Sequence, residues 1–371
     1  MNKKELARKI LKRAGISING DKPYDIQIKN EELYKRFFRY GTVGLGEAYM
    51  DGWWDAEKLD EFFYRALSAN LKEIPEIKNW RFAFFILKRL IANAGAEINA
   101  FNIGKKHYDI GNDLFELMLD KRMVYSCGYW KNANNLDEAQ EDKLDLVCRK
   151  LYLKPGMKVL DIGCGWGGLV EYMARKYNVK AAGITVSEEQ AKYSREICKN
   201  LPVEIKLRDY RNIKGSFDRI VSIGMIEHVG YKNYRCYMRK IYDLLNDNGL
   251  FLLHTIGGNK SVFATDPWID KYIFPGGMLP SIKQIGAATE NLFMMEDWHN
   301  FGQDYDKTLM AWFENFHRHW PKISAKYGER FYRMWKYYLL SCAGLFRSRK
   351  TQVWQIVFSK SGVKGGYDAI R

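Results

Sequence analysis

Paired cysteines, long apolar runs and acidic residues are what this chain of 371 residues has least of. Its six cysteines (Cys127, Cys148, Cys164, Cys198, Cys236 and Cys342) form no CxxC pair and no His/Cys group with zinc spacing. That argues against a disulfide framework or a structural metal and for a reducing cytoplasm. No window reaches the roughly 18 uncharged apolar residues of a membrane span. The nearest, residues 82–96, is interrupted by Lys88 and Arg89. The opening stretch MNKKELARKILKR is charged throughout, with no apolar core of signal-peptide length, so no targeting segment is expected. Any membrane contact is therefore predicted to be peripheral, on the cytoplasmic face. Internal repeats and low-complexity tracts are missing too, which excludes solenoids and biased tails.

The length suits two domains, and 47% apolar residues suffice for a sizeable core. With 59 Lys+Arg against 44 Asp+Glu the net charge is +15, a field that draws polyanions, either nucleic acid or an anionic membrane face. The basic clusters carry no nucleic-acid module signature, so no nucleic-acid partner is expected.

Residues 1–80 read as a small α-rich domain. Leu6, Ile10 and Leu11 make a helical stripe with Lys3, Lys4, Arg8, Lys9, Lys12 and Arg13 around it. GTVGLGEAYMDGWW, Gly41 to Trp54, is glycine-rich and aromatic and reads as a turn-rich packed segment. Residues 81–104 read as a linking helix that could also belong to either neighbour. From about residue 105 to 371 strand and helix alternate through MKVLDIG, KAAGITV, VEIKL, FDRIVSIG and GLFLLHTIG. The pattern predicts an α/β fold, a parallel sheet covered by helices on both faces. The late run Val353 to Ser359 reads as an edge addition.

At the first strand-to-helix junction stands Asp161-Ile-Gly163-Cys-Gly165-Trp-Gly167-Gly168. Glycines there let the backbone approach a ligand at a helix N-terminus. The spacing also satisfies GxGxxG, but a dinucleotide site wants an acid about 20 residues on, after the second strand. That position reads Gly183-Ile184-Thr185-Val186-Ser187, without an acid, and the acid instead precedes the first glycine. VLDIGCGWGG resembles the first motif of class I methyltransferases. Their cofactor, S-adenosylmethionine, carries a sulfonium and no pyrophosphate. Thr185 and Gln190 then have to serve where most of that class place a ribose-binding acid.

The resemblance narrows with the remaining motifs. YSCGYW (Tyr125 to Trp130), VLDIGCGWGG, GITVSEEQ, RDYR, GMIEHVG (Gly224 to Gly230), LLHTIG (Leu252 to Gly257), DPWIDKYIFPGG and DYDKTLMAW (Asp304 to Trp312) occur in this order. Together they are similar to the cyclopropane-fatty-acyl-phospholipid synthases, and GLGEAYMDGWW extends the likeness into the front domain. The resemblance implies a seven-stranded class I methyltransferase sheet behind a lipid-binding front domain. It implies transfer of a methylene group from S-adenosylmethionine to the cis double bond of a phospholipid acyl chain, with bound bicarbonate as general base. It further implies a homodimer on an anionic phospholipid surface. By motif, the bicarbonate pocket maps onto Cys127 and Ile256 through their backbone N–H groups, His254 and Tyr305 through side chains, and Glu227 as acceptor of the ion's proton. Tyr125 and Ser126 would cap the methionine end of the cofactor. Asp161, Gly163, Gly165 and Gly167 would pass beneath it, Thr185 and Gln190 would reach the ribose, and Asp209 and Tyr210 the adenine. Residues 263–280 would cover the acyl chain.

Taken without the family, these residues say less. Cys127 reads as a small buried apolar residue, His254 fits a core histidine equally well, and Tyr305 is one of 24 tyrosines. Glu227 alone stands out, because it follows a strand at the sheet edge where open α/β folds bind ligands. Three rivals stay on the page: a methyltransferase for a soluble molecule, a lipid enzyme that stops after methylation, and a non-catalytic binding protein. The net charge of +15 and the lack of polar substrate-binding motifs argue against the first, which activity on lipid vesicles would decide; an intact bicarbonate pocket argues against the second, and the complete cofactor and base motifs against the third.

Overall fold

The computed structural model describes residues 2–69 and 111–371. The predicted linking segment 81–104 lies outside the described residues. The chain forms two compact units. The first joins the front of the chain to residues 264–275 and 305–351, and the second comprises residues 96–263, 276–304 and 352–371. No single cut in the sequence separates them, since two late segments pack with the front.

In the first unit, α1 (Lys3–Arg13), α2 (Glu32–Met50) and α3 (Leu59–Ser68) pack with the long helix Glu329–Arg347. Gly344 permits the closest approach: a Cβ there would lie 2.7 Å from the Asp60 carbonyl oxygen. Arg347 then bridges Asp60 at 2.8 Å and Asp306 at 2.9 Å. Tyr49, Trp54, Phe62 and Tyr337 pack their rings at the centre. The glycine-rich segment is mostly helix rather than turns. α2 bends at Gly41 (φ 61) and continues to Met50. Gly46 lacks a side chain because the Trp268 indole occupies its place, 2.4 Å from where a Cβ would stand. Glycine here reports close packing, which composition alone does not distinguish from a turn.

The second unit is a seven-stranded sheet: β1 (Lys158–Ile162), β2 (Lys180–Thr185), β3 (Val203–Leu207), β4 (Phe217–Ile223), β5 (Leu245–Gly257), β6 (Met294–Asn300) and β7 (Gln352–Ser359). The order is β3-β2-β1-β4-β5-β7-β6. The first five are parallel, and β7 runs antiparallel to both β5 and β6. The expectation that Val353–Ser359 forms an edge is corrected: β7 is interior and β6 is the edge. All eight β7 residues are buried, the glutamines Gln352 and Gln355 and Ser359 included, as a strand with neighbours on both sides requires.

Helices α4 (Asn112–Met118), α5 (Leu136–Lys150), α6 (Gly168–Tyr177), α7 (Glu188–Ile197), α8 (Tyr234–Leu244) and α9 (Ile282–Thr289) accompany the sheet. Leu144, Val147, Leu169, Val170, Met173 and Ala191 form one apolar layer with β1, β2 and β4. Tyr237, Met238, Ile241, Ile285 and Ala288 belong to a second. The strand order reverses between β1 and β4, and the carboxyl ends of β1, β2, β4 and β5 open at that crevice, where ligands bind in this architecture.

Candidate active site

The turn after β1 is built on backbone conformations that only glycine adopts freely. Gly163, Gly165 and Gly167 have φ of 88°, 54° and 88°. Gly163 and Cys164 donate their N–H groups to Ile184 O at 3.0 and 2.9 Å, tying the turn to β2. Gly167 is also hemmed in by Ser194, 2.9 Å from a would-be Cβ, whereas a Cβ on Gly165 would meet nothing within 4 Å. That open face is the cradle a nucleoside-bearing cofactor needs. At the end of β1, Asp161 is buried and its Oδ1 has no hydrogen-bond partner among the described residues. Burial pushes its carboxyl up to about 7, against the pull of the nearby Lys143 charge. A buried carboxylate with an orphaned oxygen calls for a cationic donor, and the methionine moiety of S-adenosylmethionine carries an ammonium.

Across β2, Thr185 Oγ1 donates to Gln190 Oε1 at 2.8 Å. Ser187 caps α7 by accepting from Gln190 N at 3.3 Å. Thr185 and Gln190 are thus held as one polar pair on the second strand's exit, the place where an acid is missing. Asp209 caps a short 3₁₀ turn and accepts from the Arg211 backbone N–H and guanidinium at 2.8–2.9 Å. Burial works to raise its pKa, but the Arg211 hydrogen bonds and charge prevail and lower it. Tyr210 beside it packs edge-on against Tyr237.

The segment 124–128 is held from α5. Gln140 Nε2 donates to Ser126 O at 2.8 Å, and Lys143 Nζ donates to Ser126 Oγ at 2.9 Å. Asp120 accepts from Val124 N at 2.8 Å. Lys143 is fully buried, and burial pulls its ammonium down to about 8 against the charges of Asp120, Cys127 and Asp161. Its own charge in turn acts on His254. One buried cation therefore stands within electrostatic reach of the cofactor turn, Cys127 and His254. Tyr125 packs edge-on against Phe115, which also contacts Trp166, and the Cys127 thiol donates to Gly128 O at 3.2 Å.

Glu227 follows β4 in a 3₁₀ turn and is buried. Its Oε1 accepts the Ile256 backbone N–H at 2.8 Å, and its Oε2 has no partner among the described residues. Burial pushes the carboxyl up to about 7, only partly offset by the Glu227 and Ile256 backbone N–H groups and the Thr255 hydroxyl. The Ile256 N–H, which the motif resemblance assigns to a bound ion, donates here to Glu227, as a buried carboxylate takes the nearest donor. His254, two residues earlier on β5, is buried, and burial with the Lys143 charge keeps its imidazole neutral. The β5–β7 register sets His254 opposite Gln355, whose Nε2 approaches Nδ1 at 3.4 Å.

Cys127, Glu227, His254 and Ile256 lie in the second unit with every predicted cofactor residue. Tyr305 falls in the first unit, where it stacks on Phe346 at 4.5 Å. Sequence reasoning missed Gln140, Lys143 and Gln355. The signal for Lys143 was present: with Leu136, Gln140, Val147 and Lys150 it lies at helical spacing on the buried side of α5, an odd place for a lysine.

The profile of the mycolic acid cyclopropane synthetase family matches residues 96–356. The cyclopropane-fatty-acyl-phospholipid synthase of Escherichia coli K12 is 52% identical over 367 residues, 99% of this chain and 95% of that protein. A probable fatty acid methyltransferase of Pseudomonas putida is 38% identical, covering 71% of this chain and 70% of its own. Among solved structures, a mycolic acid cyclopropane synthase bound to S-adenosylhomocysteine and CTAB superposes with TM-score 0.66 at 33% identity, over 70% of this chain and 98% of that one. A cyclopropane synthase from Mycobacterium tuberculosis gives TM-score 0.67 at 31% identity over the same shares. The glycine turn, the buried acids beside it and these matches agree: the chain belongs to the cyclopropane synthase family of S-adenosylmethionine-dependent methyltransferases.

Proposed function

We propose that this enzyme transfers a methylene group from S-adenosylmethionine to the cis double bond of an unsaturated phospholipid acyl chain and closes a cyclopropane ring, with bicarbonate as general base. The observation that carries this reading is the Glu227 carboxylate, buried, fixed by Ile256 N–H through one oxygen and open at the other. S-adenosylmethionine supplies a sulfonium methyl electrophilic enough for an alkene, which is a poor nucleophile. Bicarbonate supplies an oxygen base that, unlike a protein side chain, can be replaced if it is alkylated.

The chain's own residues do the rest. Glu227 Oε2 would accept the hydrogen of the ion's hydroxyl and hold the ion in place. His254, kept neutral, lends a hydrogen bond without adding a positive charge next to a developing carbocation. The Cys127 thiol proton is engaged by Gly128 O, which discourages a thiolate from competing as nucleophile. Asp161 Oδ1 would receive the cofactor ammonium, the glycine turn would pass beneath the cofactor, and Thr185 with Gln190 would face the ribose. The role of Tyr305 as a further hydrogen-bond donor rests on the motif resemblance.

The membrane is part of the same reading. Among the described residues no helix is long and apolar enough to cross a bilayer. α1 exposes Lys3, Arg8, Lys9, Lys12 and Arg13, while Lys4 pairs with Glu31. Each basic residue at an anionic surface adds on the order of 1 kcal/mol. Reversing Lys3, Arg8, Lys12 and Arg13 to Glu is expected to release the protein from anionic vesicles and leave its binding to zwitterionic vesicles unchanged in a sedimentation assay. Unaltered binding to anionic vesicles would remove the front helix from the anchor. The family resemblance supports a homodimer, which sedimentation equilibrium reads.

The function itself is tested by incubating the purified protein with S-adenosylmethionine and vesicles of a monounsaturated phospholipid. The lipid should gain the mass of one CH₂ and lose its reactivity to ozone. A mass gain with the alkene retained, or no gain, refutes the proposal.

A further inference from the structure

Large apolar side chains stand out at only a few exposed places among the described residues: Tyr40, Leu207, the edge-strand pair Met294 and Met295, and a group of three, Val262, Phe263 and Ile282. The last group is distinctive because its members come from two separated segments and meet. Val262 and Phe263 are each 41% exposed and Ile282 is 49% exposed. Gly258 N donates to Pro280 O at 3.0 Å, the Ser261 and Ser281 hydroxyls bond at 2.7 Å, and Gln284 Nε2 reaches Val262 O at 3.4 Å. A third segment joins through Tyr231, whose ring packs edge-on against Phe263 at 5.1 Å. Each segment also carries an exposed lysine, Lys232, Lys260 and Lys283, and none of the three has an ion pair among the described residues.

All three segments begin at the catalytic carboxylate. Glu227 itself precedes Tyr231 by four residues. Ile256, whose N–H binds Glu227 Oε1, precedes Val262 by six. Met278, whose N–H donates to Glu227 O at 2.8 Å, precedes Ile282 by four. The apolar tip is thus the outer end of the same three strands of backbone that form the base site.

We propose that the tip of Tyr231, Val262, Phe263 and Ile282, ringed by Lys232, Lys260 and Lys283, is a bilayer-docking surface of the catalytic unit, where an acyl chain passes from the membrane toward Glu227. The proposal rests on the lipid substrate of the function proposed above. Exposed aliphatic and aromatic side chains flanked by unpaired lysines match the acyl region and the phosphates of a phospholipid surface together. The tip is also distinct from α1, which offers charge but buries no apolar side chain.

The test uses the full chain with Val262→Ser, Phe263→Ser and Ile282→Ser combined, alongside Met294→Ser with Met295→Ser as a control of similar exposed apolar character. Partition onto zwitterionic phosphatidylcholine vesicles should fall about tenfold or more in the triple variant, from the apolar area no longer buried in lipid, and stay near wild type in the control. S-adenosylmethionine affinity by calorimetry should be unchanged, showing that the cofactor site is intact. A second variant, Lys260→Glu with Lys283→Glu, should weaken binding to phosphatidylglycerol vesicles and spare phosphatidylcholine. Vesicle partition equal to wild type in the triple variant overturns the proposal. So does a change of oligomeric state with partition unchanged, which would assign the tip to contact with a second copy. A wild-type enzyme that binds vesicles but forms no ring product refutes the proposed reaction instead, and the partition comparison still decides the docking surface.

Discussion

Glu227→Gln is expected to lower turnover about 100-fold or more, the usual weight of a lost general-base element, while S-adenosylmethionine affinity stays near wild type. Glutamine keeps the size of the side chain and can still accept the Ile256 N–H, but it has no ionised oxygen to receive a proton. Steady-state rates against cofactor concentration read this as a fall in kcat with KM for the cofactor unchanged. An unchanged kcat removes Glu227 from the chemistry. The pH dependence sharpens the case. With its carboxyl pushed up to about 7 by burial, wild-type activity should climb as pH rises through that value, and the variant should lose that limb.

Stability should move the opposite way. A carboxyl whose folded pKa lies above its ordinary value of 4.5 favours the folded state when protonated. That contribution is present below about 4.5 and is lost as pH rises to about 7. Above that pH the ionised Glu227 costs the ligand-free protein roughly 3 kcal/mol. Glu227→Gln should therefore melt higher than wild type at pH 8 while being far less active. A variant merely damaged in structure would melt lower.

Asp161→Asn is expected to weaken S-adenosylmethionine binding by about 10–100-fold, the range for a lost charged hydrogen bond. Asp161 lies near the end of β1 under the glycine turn with Oδ1 unpartnered among the described residues, and the Lys143 charge stabilises its ionised form. Asparagine fills the same space with a neutral group. Calorimetry with S-adenosylmethionine and with S-adenosylhomocysteine, which shares the ammonium but lacks the sulfonium charge, should show equal losses. At saturating cofactor, kcat should recover much of its wild-type value, the reverse of the Glu227→Gln pattern. Unchanged affinity for both compounds would show that the orphaned oxygen does not hold the ammonium.

The first five strands of the second unit could be read from the sequence because they alternate with helical stretches and carry β-branched or apolar runs, and the glycine turn announces itself by spacing, whereas β6, MMEDWHN, carries no such pattern. Glu227 was legible for the same reason, standing directly after a strand at the sheet's open edge. The place of β7 was not, since strand order is set by long-range pairing that local pattern does not encode. Composition also misled for Gly44 and Gly46, which sit inside α2 to admit neighbouring atoms rather than to turn the chain. Nor did motif spacing reveal that Ile256 N–H is taken up by Glu227, because backbone donors carry no residue-type signature. Lys143 and Gln140 were hidden by expectation: lysine and glutamine on a helix read as solvent-facing until the buried stripe of α5 is counted.

The central claim is that a base removes a proton from the newly transferred methyl group so that a ring closes. It is tested most directly with S-adenosylmethionine carrying a fully deuterated methyl group, supplied to the enzyme with monounsaturated phospholipid vesicles and bicarbonate. Mass spectrometry and proton NMR of the extracted lipid should show a cyclopropane bearing two of the three deuterons, with the alkene signals gone and the rate falling as bicarbonate is depleted. A product that keeps all three deuterons, or one that retains the alkene, would contradict the account.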